Sequence, residues 1–198
     1  MPDILARNNV QVFGSGSQPL VFVHGFGCDQ NMWRFVVPSF STDFKIVLFD
    51  YVGSGKSDSN AYHRDRYSTL NGYADDILEV CEALQLQNII LVGHSVSCMS
   101  GMLAVLHRPE LFRRFVMVCP SPCYINDPAE NYVGGFEKNE LTELLDLMEK
   151  NYVGWANFLA PIVMQNEDRS ELKEELLESF CAIDPIIAKQ FAETTFLS

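Results

Sequence analysis

The apolar residues of the first 125 positions fall into five short runs that are rich in β-branched and aromatic side chains. Gly, Pro, Asn or Asp bounds each run, which is the pattern of a β-strand between turns. The predicted strands cover residues 10–13, 20–23, 46–49, 89–92 and 115–118. The last four are almost uniformly apolar, as expected for strands that are buried on both faces of a sheet.

Helical periodicity separates the later strands. Between the third and fourth strands, apolar residues recur every three or four positions, namely at Tyr73, Ile77, Val80 and Leu84. A second such pattern follows the fourth strand and ends before Pro109, with Met99, Met102, Leu103 and Leu106 on its predicted apolar face. Alternating strands and helices predict an α/β fold, a mostly parallel sheet covered by helices on both faces.

The pattern changes at about residue 126, where no further strand is predicted. Four amphipathic stretches follow, at residues 141–152, 155–163, 171–181 and 185–194. Asp184 and Pro185 suit the N-cap and first position of the last helix, and Gly134-Gly135 forms a flexible entry to the first. We therefore expect residues 1–125 to form the N-terminal part of a core and residues 126–198 a helical lid.

Composition narrows the class of protein. The chain has 198 residues, 47% of them hydrophobic, which predicts one globular domain. Its 14 basic and 26 acidic residues give a net charge of −12, which argues against nucleic acid or an anionic membrane as a partner. Neither a signal peptide nor an apolar run of about 20 residues is evident, so we expect a cytoplasmic protein.

Six scattered cysteines predict reduced thiols rather than a disulfide framework. The spacing of Cys119 and Cys123 is unusual for zinc, and no second Cys or His pair follows. We therefore predict neither a metal nor a cofactor.

The stretch "LVGHSVSCMSG" at residues 91–101 places Ser95 between a predicted strand and a predicted helix. A strand that turns at once into a helix through G-x-S-x-G forms a nucleophile elbow, which exposes the serine hydroxyl at the end of the sheet. The fifth position here is Ser97, so the turn must accommodate one small side chain. Ser95 is the predicted nucleophile; the alternative is a chance pentapeptide in a strand-to-helix connection.

The stretch "VFVHGFG" at residues 21–27 follows the second strand. Its glycines allow the backbone to turn and to expose an amide, which in an acyl-transfer enzyme stabilises a developing oxyanion. The predicted donors are the amides of Phe26 and of Val96, the residue after the nucleophile. His24 is expected to brace the loop. The alternative interpretation of the whole stretch is a simple turn that ends the strand.

The stretch "DYVGSGKSD" at residues 50–58 ends like a phosphate-binding loop, with Gly55-Lys56-Ser57. The full pattern requires glycine five residues before Gly55, where this chain has Asp50. A surface turn is therefore the preferred interpretation, and nucleotide binding the weaker one.

Several aromatic residues of the second half are either core residues or part of a ligand pocket. A small helical segment cannot bury all its apolar faces on itself, so we expect some of these side chains to line a cleft above Ser95. The predicted pocket residues are Tyr124, Phe136, Trp155, Phe158 and Phe196.

Taken together, "VFVHGFGCDQNMW", "LFDYVGSGKSD", "GHSVSCMSGMLA", "RPELFRRFVMVCPSPCYIND" and "GGFE" resemble the α/β-hydrolase superfamily. Within it, the chain is similar to RsbQ-type proteins and to plant karrikin and strigolactone receptors. The resemblance implies Ser95 as nucleophile, Phe26 and Val96 as oxyanion donors, and a four-helix lid over an apolar pocket. It also implies a small hydrophobic ester, lactone or enol-ether ligand. The implied partner is a PAS-domain phosphatase or another signalling protein in a stress response.

A hydrolase of this class needs an acid and a histidine after the serine, in that order. His107 is the only histidine after Ser95, and it lies within the helix that follows the elbow. The strands that carry the acid and the histidine in the family are expected beyond Ser198, so the C-terminal part of the core is absent from this chain. Two hypotheses remain: an enzyme that a longer chain completes, and a non-catalytic module that binds a ligand or a partner.

Overall fold

The computed structural model describes residues 3–166 and 168–197. The chain divides into two compact units, Met1–Pro122 and Cys123–Ser198. The first contains the sheet and the second contains four of the helices, and each is described by itself below.

The first unit is built on a five-stranded sheet, as the sequence predicts. The strands are β1 (Gln11–Phe13), β2 (Gln18–Val23), β3 (Phe44–Leu48), β4 (Ile89–His94) and β5 (Phe112–Val118). Their order is β1-β3-β2-β4-β5. Only the β1–β3 pair is antiparallel. The carboxyl ends of β2, β3 and β4 therefore lie at one edge, where α/β proteins place their functional loops.

Two longer helices and one short one accompany this sheet, namely α1 (Ile4–Arg7), α2 (Leu70–Ala83) and α3 (Val96–His107). Helix α2 buries Tyr73, Ile77 and Val80, as its periodicity predicts, whereas Leu84 lies just past its last residue.

The predicted buried face of α3 is wrong. Met102 and Leu106 are exposed, and α3 instead buries small residues such as Ser97, Gly101 and Ala104. The reason is the close approach of α3 to the sheet: a Cβ added to Gly101 would lie 2.7 Å from the ring of Phe115. A helix packed this tightly requires small side chains on its inner face, which leaves the large ones outside.

Strand β5 is the last strand of the sheet and carries exposed apolar side chains, including Val116 and Met117. An edge strand with exposed apolar side chains favours association with another chain or segment.

A buried carboxylate ties the amino-terminal segment to α2. Asp76 accepts hydrogen bonds from the guanidinium groups of Arg7 (3.2 Å) and Arg66 (2.9 Å) and from the hydroxyl of Tyr67 (2.9 Å). Its second oxygen accepts from the side chain of Asn8 and from the amide of Val52. Because Val52 follows β3, this cluster also holds the loop that leaves that strand.

The second unit contains four helices, which correspond to the four predicted amphipathic stretches. They are α4 (Lys138–Lys150), α5 (Tyr152–Met164), α6 (Ser170–Cys181) and α7 (Pro185–Phe196). The Asp184 side chain caps α7 by accepting from the amides of Ile186 and Ile187, as predicted. Among the described residues, no helix has the length and apolar character that a membrane crossing requires.

Candidate active site

Ser95 lies at the junction between β4 and α3, with φ of 56° and ψ of −122°. A positive φ is uncommon for a residue with a side chain and marks a strained turn. The amide of Ser95 donates to the carbonyl of Val118 (2.9 Å), which fixes the turn to the end of β5. A Cβ on Gly93 would lie 2.4 Å from the carbonyl oxygen of Ser97, so this position, one residue before the end of β4, requires glycine. The predicted strand-to-helix elbow is present.

The loop after β2 lies directly against this elbow. The amide of Cys28 donates to the carbonyl of Gly25 (3.3 Å), and Gly27 has φ of +73°, a conformation that glycine adopts without strain. A Cβ on Gly25 would lie 3.2 Å from the Cβ of Ser95. The predicted oxyanion donor Phe26 thus follows a residue in close approach to Ser95, while Val96 is the first residue of α3. Their role as donors stays a prediction.

His24 is completely buried and uses both ring nitrogens. Its Nε2 accepts from the amide of Tyr51 (3.1 Å), so the proton resides on Nδ1, which donates to the carbonyl of Gly25 (2.9 Å). Burial lowers the pKa of His24, against the opposing effect of Asp50, and so favours the neutral ring. His24 therefore braces the loop and has no nitrogen left to act on Ser95.

The other histidines differ in exposure. Burial, and secondarily the proximity of His24, lowers the pKa of His94. Its ring meets the ring of Trp33 edge-on, with centroids 6.3 Å apart, and its Nδ1 lies 2.6 Å from where a Cβ on Gly25 would be. His63 and His107 are exposed, the latter at the last position of α3.

In the loop at residues 50–58, the carboxylate of Asp50 takes the place that a bound phosphate would need. Asp50 accepts from the amide of Lys56 (2.9 Å), the amide of Gln30 (2.8 Å) and the side chain of Asn9 (2.7 Å). A Cβ on Gly55 would lie 2.5 Å from the same carboxylate. Within the loop, the amide of Lys56 is thus directed at Asp50 and that of Gly53 at the hydroxyl of Ser57 (3.0 Å), which supports the surface-turn interpretation.

The predicted pocket residues occupy different environments within the second unit. Trp155 is buried and stacks on Tyr152, with Phe180 on another side (centroids 5.5 and 5.1 Å apart). The rings of Tyr124 and Phe196 meet edge-on. Phe136 and Phe158 are exposed. Trp155 therefore contributes to the interior of its own helical unit, and the pocket above Ser95 stays a prediction.

Three buried hydroxyl groups at the base of the elbow were missed as functional candidates. The hydroxyl of Tyr51 lies 2.9 Å from that of Ser97 and 2.8 Å from that of Ser100. The sequence signal was available: Ser97 and Ser100 are polar residues one helical turn apart on an otherwise apolar helix.

Metal-ligating side chains do not converge anywhere in residues 3–166 and 168–197: no group of three or more His, Cys, Asp or Glu is arranged to hold an ion. Cys119, Cys123 and the other four cysteines are free thiols.

Comparison with known proteins agrees with the fold. Residues 18–155 match the family described as the alpha/beta hydrolase fold. The chain is 40% identical over 191 residues to Karrikin insensitive 2 receptor CA of Petunia hybrida, covering 96% of this chain and 70% of the relative. It is 42% identical over 171 residues to Strigolactone esterase RMS3 of Pisum sativum, covering 86% of this chain and 64% of the relative.

Among solved structures, the chain is similar to olei00960, a hydrolase from Oleispira antarctica. The TM-score is 0.96 at 50% identity, covering 99% of this chain and 71% of that one. The chain belongs to the alpha/beta hydrolase fold family. Within that family it is a member of the group that contains the karrikin receptors and the strigolactone esterases. It spans roughly two thirds of the length of these relatives.

Proposed function

We propose that Ser95 is the nucleophile of a serine hydrolase that acts on, or senses, a small hydrophobic ester or lactone in signalling. The observation that carries the proposal is the conformation of Ser95, a strained residue between a central parallel strand and a helix. Strain at a non-glycine residue costs stability and persists where the surrounding structure imposes it, typically at functional sites. The amides of Phe26 and Val96 would receive the oxyanion.

The ligand class rests on the relatives and on the second unit. The similar proteins are described as a karrikin receptor and a strigolactone esterase. The second unit carries two exposed aromatic side chains, Phe136 and Phe158, and the rings of Tyr124 and Phe196 meet edge-on. We propose that these residues, with Trp155, form a lid over an apolar pocket.

The proposed setting is cytoplasmic. The proposed partner is a PAS-domain phosphatase or another signalling protein, as for RsbQ-type proteins in a stress response. Coupling between ligand and partner would operate through the lid, since a ligand can shift a conformational equilibrium only through differential binding to its two states.

The general base and the acid are proposed to come from a longer chain. His24 has both nitrogens engaged, and His63 and His107 are exposed. Serine without an adjacent base is a weak nucleophile at neutral pH. Without a complete triad, only about 10³–10⁴-fold catalysis over water is typical.

The test is hydrolysis of p-nitrophenyl acetate by three proteins: this chain, its Ser95→Ala variant, and a chain extended by the segments that carry the acid and the histidine in the relatives. We expect rapid turnover by the extended chain that Ser95→Ala abolishes, and slow turnover by the 198 residues. Rapid Ser95-dependent turnover by the unextended chain would show that a base lies within it.

A second candidate function is a binding module without turnover. It is favoured by the two hydrogen bonds to backbone groups that occupy both ring nitrogens of His24. In that case the extended chain would bind a hydrophobic lactone without cleaving it. Equilibrium binding measured beside product formation separates the two functions.

A further inference from the structure

Ser97 occupies the position where the usual nucleophile elbow has glycine, and its side chain is completely buried. Its Oγ lies 2.5 Å from the backbone carbonyl oxygen of His24. A carbonyl can only accept, so the Ser97 hydroxyl donates its single proton to His24. The side chain that replaces glycine thus connects the elbow to the loop after β2.

Tyr51 joins the same two residues from a third segment. Because the Ser97 proton is used on His24, the hydroxyl of Tyr51 must donate to Ser97 (2.9 Å), and Ser100 must donate to Tyr51 (2.8 Å). The amide of Tyr51 donates to the His24 ring (3.1 Å). Burial raises the pKa of Tyr51, so its hydroxyl keeps the proton that this order requires.

The hydrogen bonds therefore close a ring through Ser97, His24 and Tyr51. Both ends of His24, its carbonyl and its imidazole, are held by the other two residues. The imidazole in turn donates to the carbonyl of Gly25, a residue on which an added Cβ would lie 3.2 Å from the Cβ of Ser95. The position of Phe26 relative to Ser95 thus depends on how His24 and Gly25 are fixed.

We propose that Ser97 is a positioning residue: its hydroxyl fixes the His24 carbonyl and thereby sets the oxyanion loop against the nucleophile. The oxyanion role of the loop rests on the proposed function. Glycine at this position would leave the His24 carbonyl and the Tyr51 hydroxyl without the partner that joins them, in a buried site where an unmade hydrogen bond is costly. Misplacement of a catalytic group by about 1 Å can cost about 10²-fold in rate.

Ser100→Ala provides a matched control. Ser97 and Ser100 are both fully buried on α3 and both form a hydrogen bond with Tyr51, but of the two only Ser97 forms one with His24.

Further variants of Ser97 separate the hydroxyl from the side-chain volume. Ser97→Gly restores the usual pentapeptide without the hydroxyl, and Ser97→Thr keeps the hydroxyl. If Ser97→Ala does not fold, Ser97→Cys, which places a weaker donor at the same position, replaces it.

The first readout is amide hydrogen exchange at residues 25–27 in the ligand-free chain, with thermal unfolding measured beside it. We expect exchange about tenfold faster in Ser97→Ala and Ser97→Gly, and near the wild-type rate in Ser97→Thr and Ser100→Ala. Equal acceleration in Ser97→Ala and Ser100→Ala would overturn the proposal, because the Ser97–His24 bond would then have no separate effect.

The second readout is the affinity of phenylboronic acid for the chain extended by the segments that carry the acid and the histidine in the relatives. The boron bonds the oxygen of Ser95 while the histidine takes the hydroxyl proton, and the tetrahedral adduct places a boron-bound oxygen at the oxyanion position. We expect Ser97→Ala to bind about tenfold more weakly or worse, with Ser100→Ala close to wild type. Wild-type binding that Ser95→Ala does not reduce would overturn the proposed function. Binding that depends on Ser95 but is unchanged in Ser97→Ala would overturn only the role of Ser97.

Discussion

The amide of Ser95 donates a 2.9 Å hydrogen bond to the carbonyl of Val118, the last residue of β5. Ser95 directly follows β4, and β4 and β5 are adjacent parallel strands. The bond supplies a partner for the first amide past the end of β4, where the chain turns into α3. The conformation of the candidate nucleophile therefore depends on the strand beside it as well as on its own turn.

Gly93→Ala should disrupt the elbow. The added Cβ would lie 2.4 Å from the carbonyl oxygen of Ser97, a contact that backbone atoms can relieve only by moving. We expect a loss of about 1–3 kcal/mol in the free energy of unfolding, and about 10²-fold slower modification of Ser95. Chemical denaturation and the rate of phosphorylation by p-nitrophenyl diethyl phosphate measure the two effects.

Gly101→Ala is the control for this substitution. Its Cβ would meet the side chain of Phe115 rather than the backbone of the elbow. It should lower stability without a comparable loss of Ser95 reactivity. Equal losses of reactivity in both variants would contradict the account of Gly93.

Asp76→Asn should strongly destabilise the first unit. The substitution removes the buried negative charge that faces Arg7 and Arg66 and leaves these guanidinium groups incompletely paired. Breaking a buried ion pair from one side typically costs about 3–5 kcal/mol. Asp75→Asn, one residue earlier and exposed, should change the free energy of unfolding by about 0.5 kcal/mol or less. Urea denaturation of both variants checks the difference.

Stability should decrease in acid partly because of His24. Burial lowers its pKa in the folded protein, whereas the unfolded chain titrates near about 6.5. Below that pH the unfolded chain binds a proton that the folded chain excludes, so the free energy of unfolding falls as pH decreases. One such group contributes a slope of at most about 1.4 kcal/mol per pH unit.

His24→Gln should flatten this pH dependence below about pH 6.5, although His94, whose pKa is also lowered, retains its own contribution. Urea denaturation at a series of pH values tests this. A slope that is the same in wild type and His24→Gln would show that His24 is not the group responsible.

Local patterns in the sequence predict much of this fold. The five strands, α2 and the four helices of the second unit correspond to short-range periodicity and turn residues, and the elbow follows from Gly93 and Ser95 between a strand and a helix. The residues on the inner face of α3 were not predictable in this way. Helix α3 lies so close to the sheet that only small side chains fit between them. Periodicity reports where apolar residues recur but not how near the opposing surface lies.

Local patterns in the sequence also could not predict the ring of hydrogen bonds through Ser97, His24 and Tyr51. Ser97 and His24 are 73 residues apart, and Tyr51 comes from a third segment. Nothing near Ser97 in the sequence indicates that its hydroxyl has a partner in the loop after β2. The sequence could therefore indicate only that the elbow accommodates Ser97 in place of glycine, whereas the fold shows which contact the Ser97 hydroxyl makes.

The most direct test of the central claim is covalent modification by p-nitrophenyl diethyl phosphate of the chain extended by the segments that carry the acid and the histidine in the relatives, followed by peptide mapping with mass spectrometry. The reagent transfers a stable diethyl phosphoryl group to a serine that a general base activates, and p-nitrophenolate leaves. We predict a single modification at Ser95, absent from Ser95→Ala and not transferred to the buried Ser97 or Ser100. Modification at another residue, or equal labelling of wild type and Ser95→Ala, would contradict the assignment of Ser95 as the nucleophile.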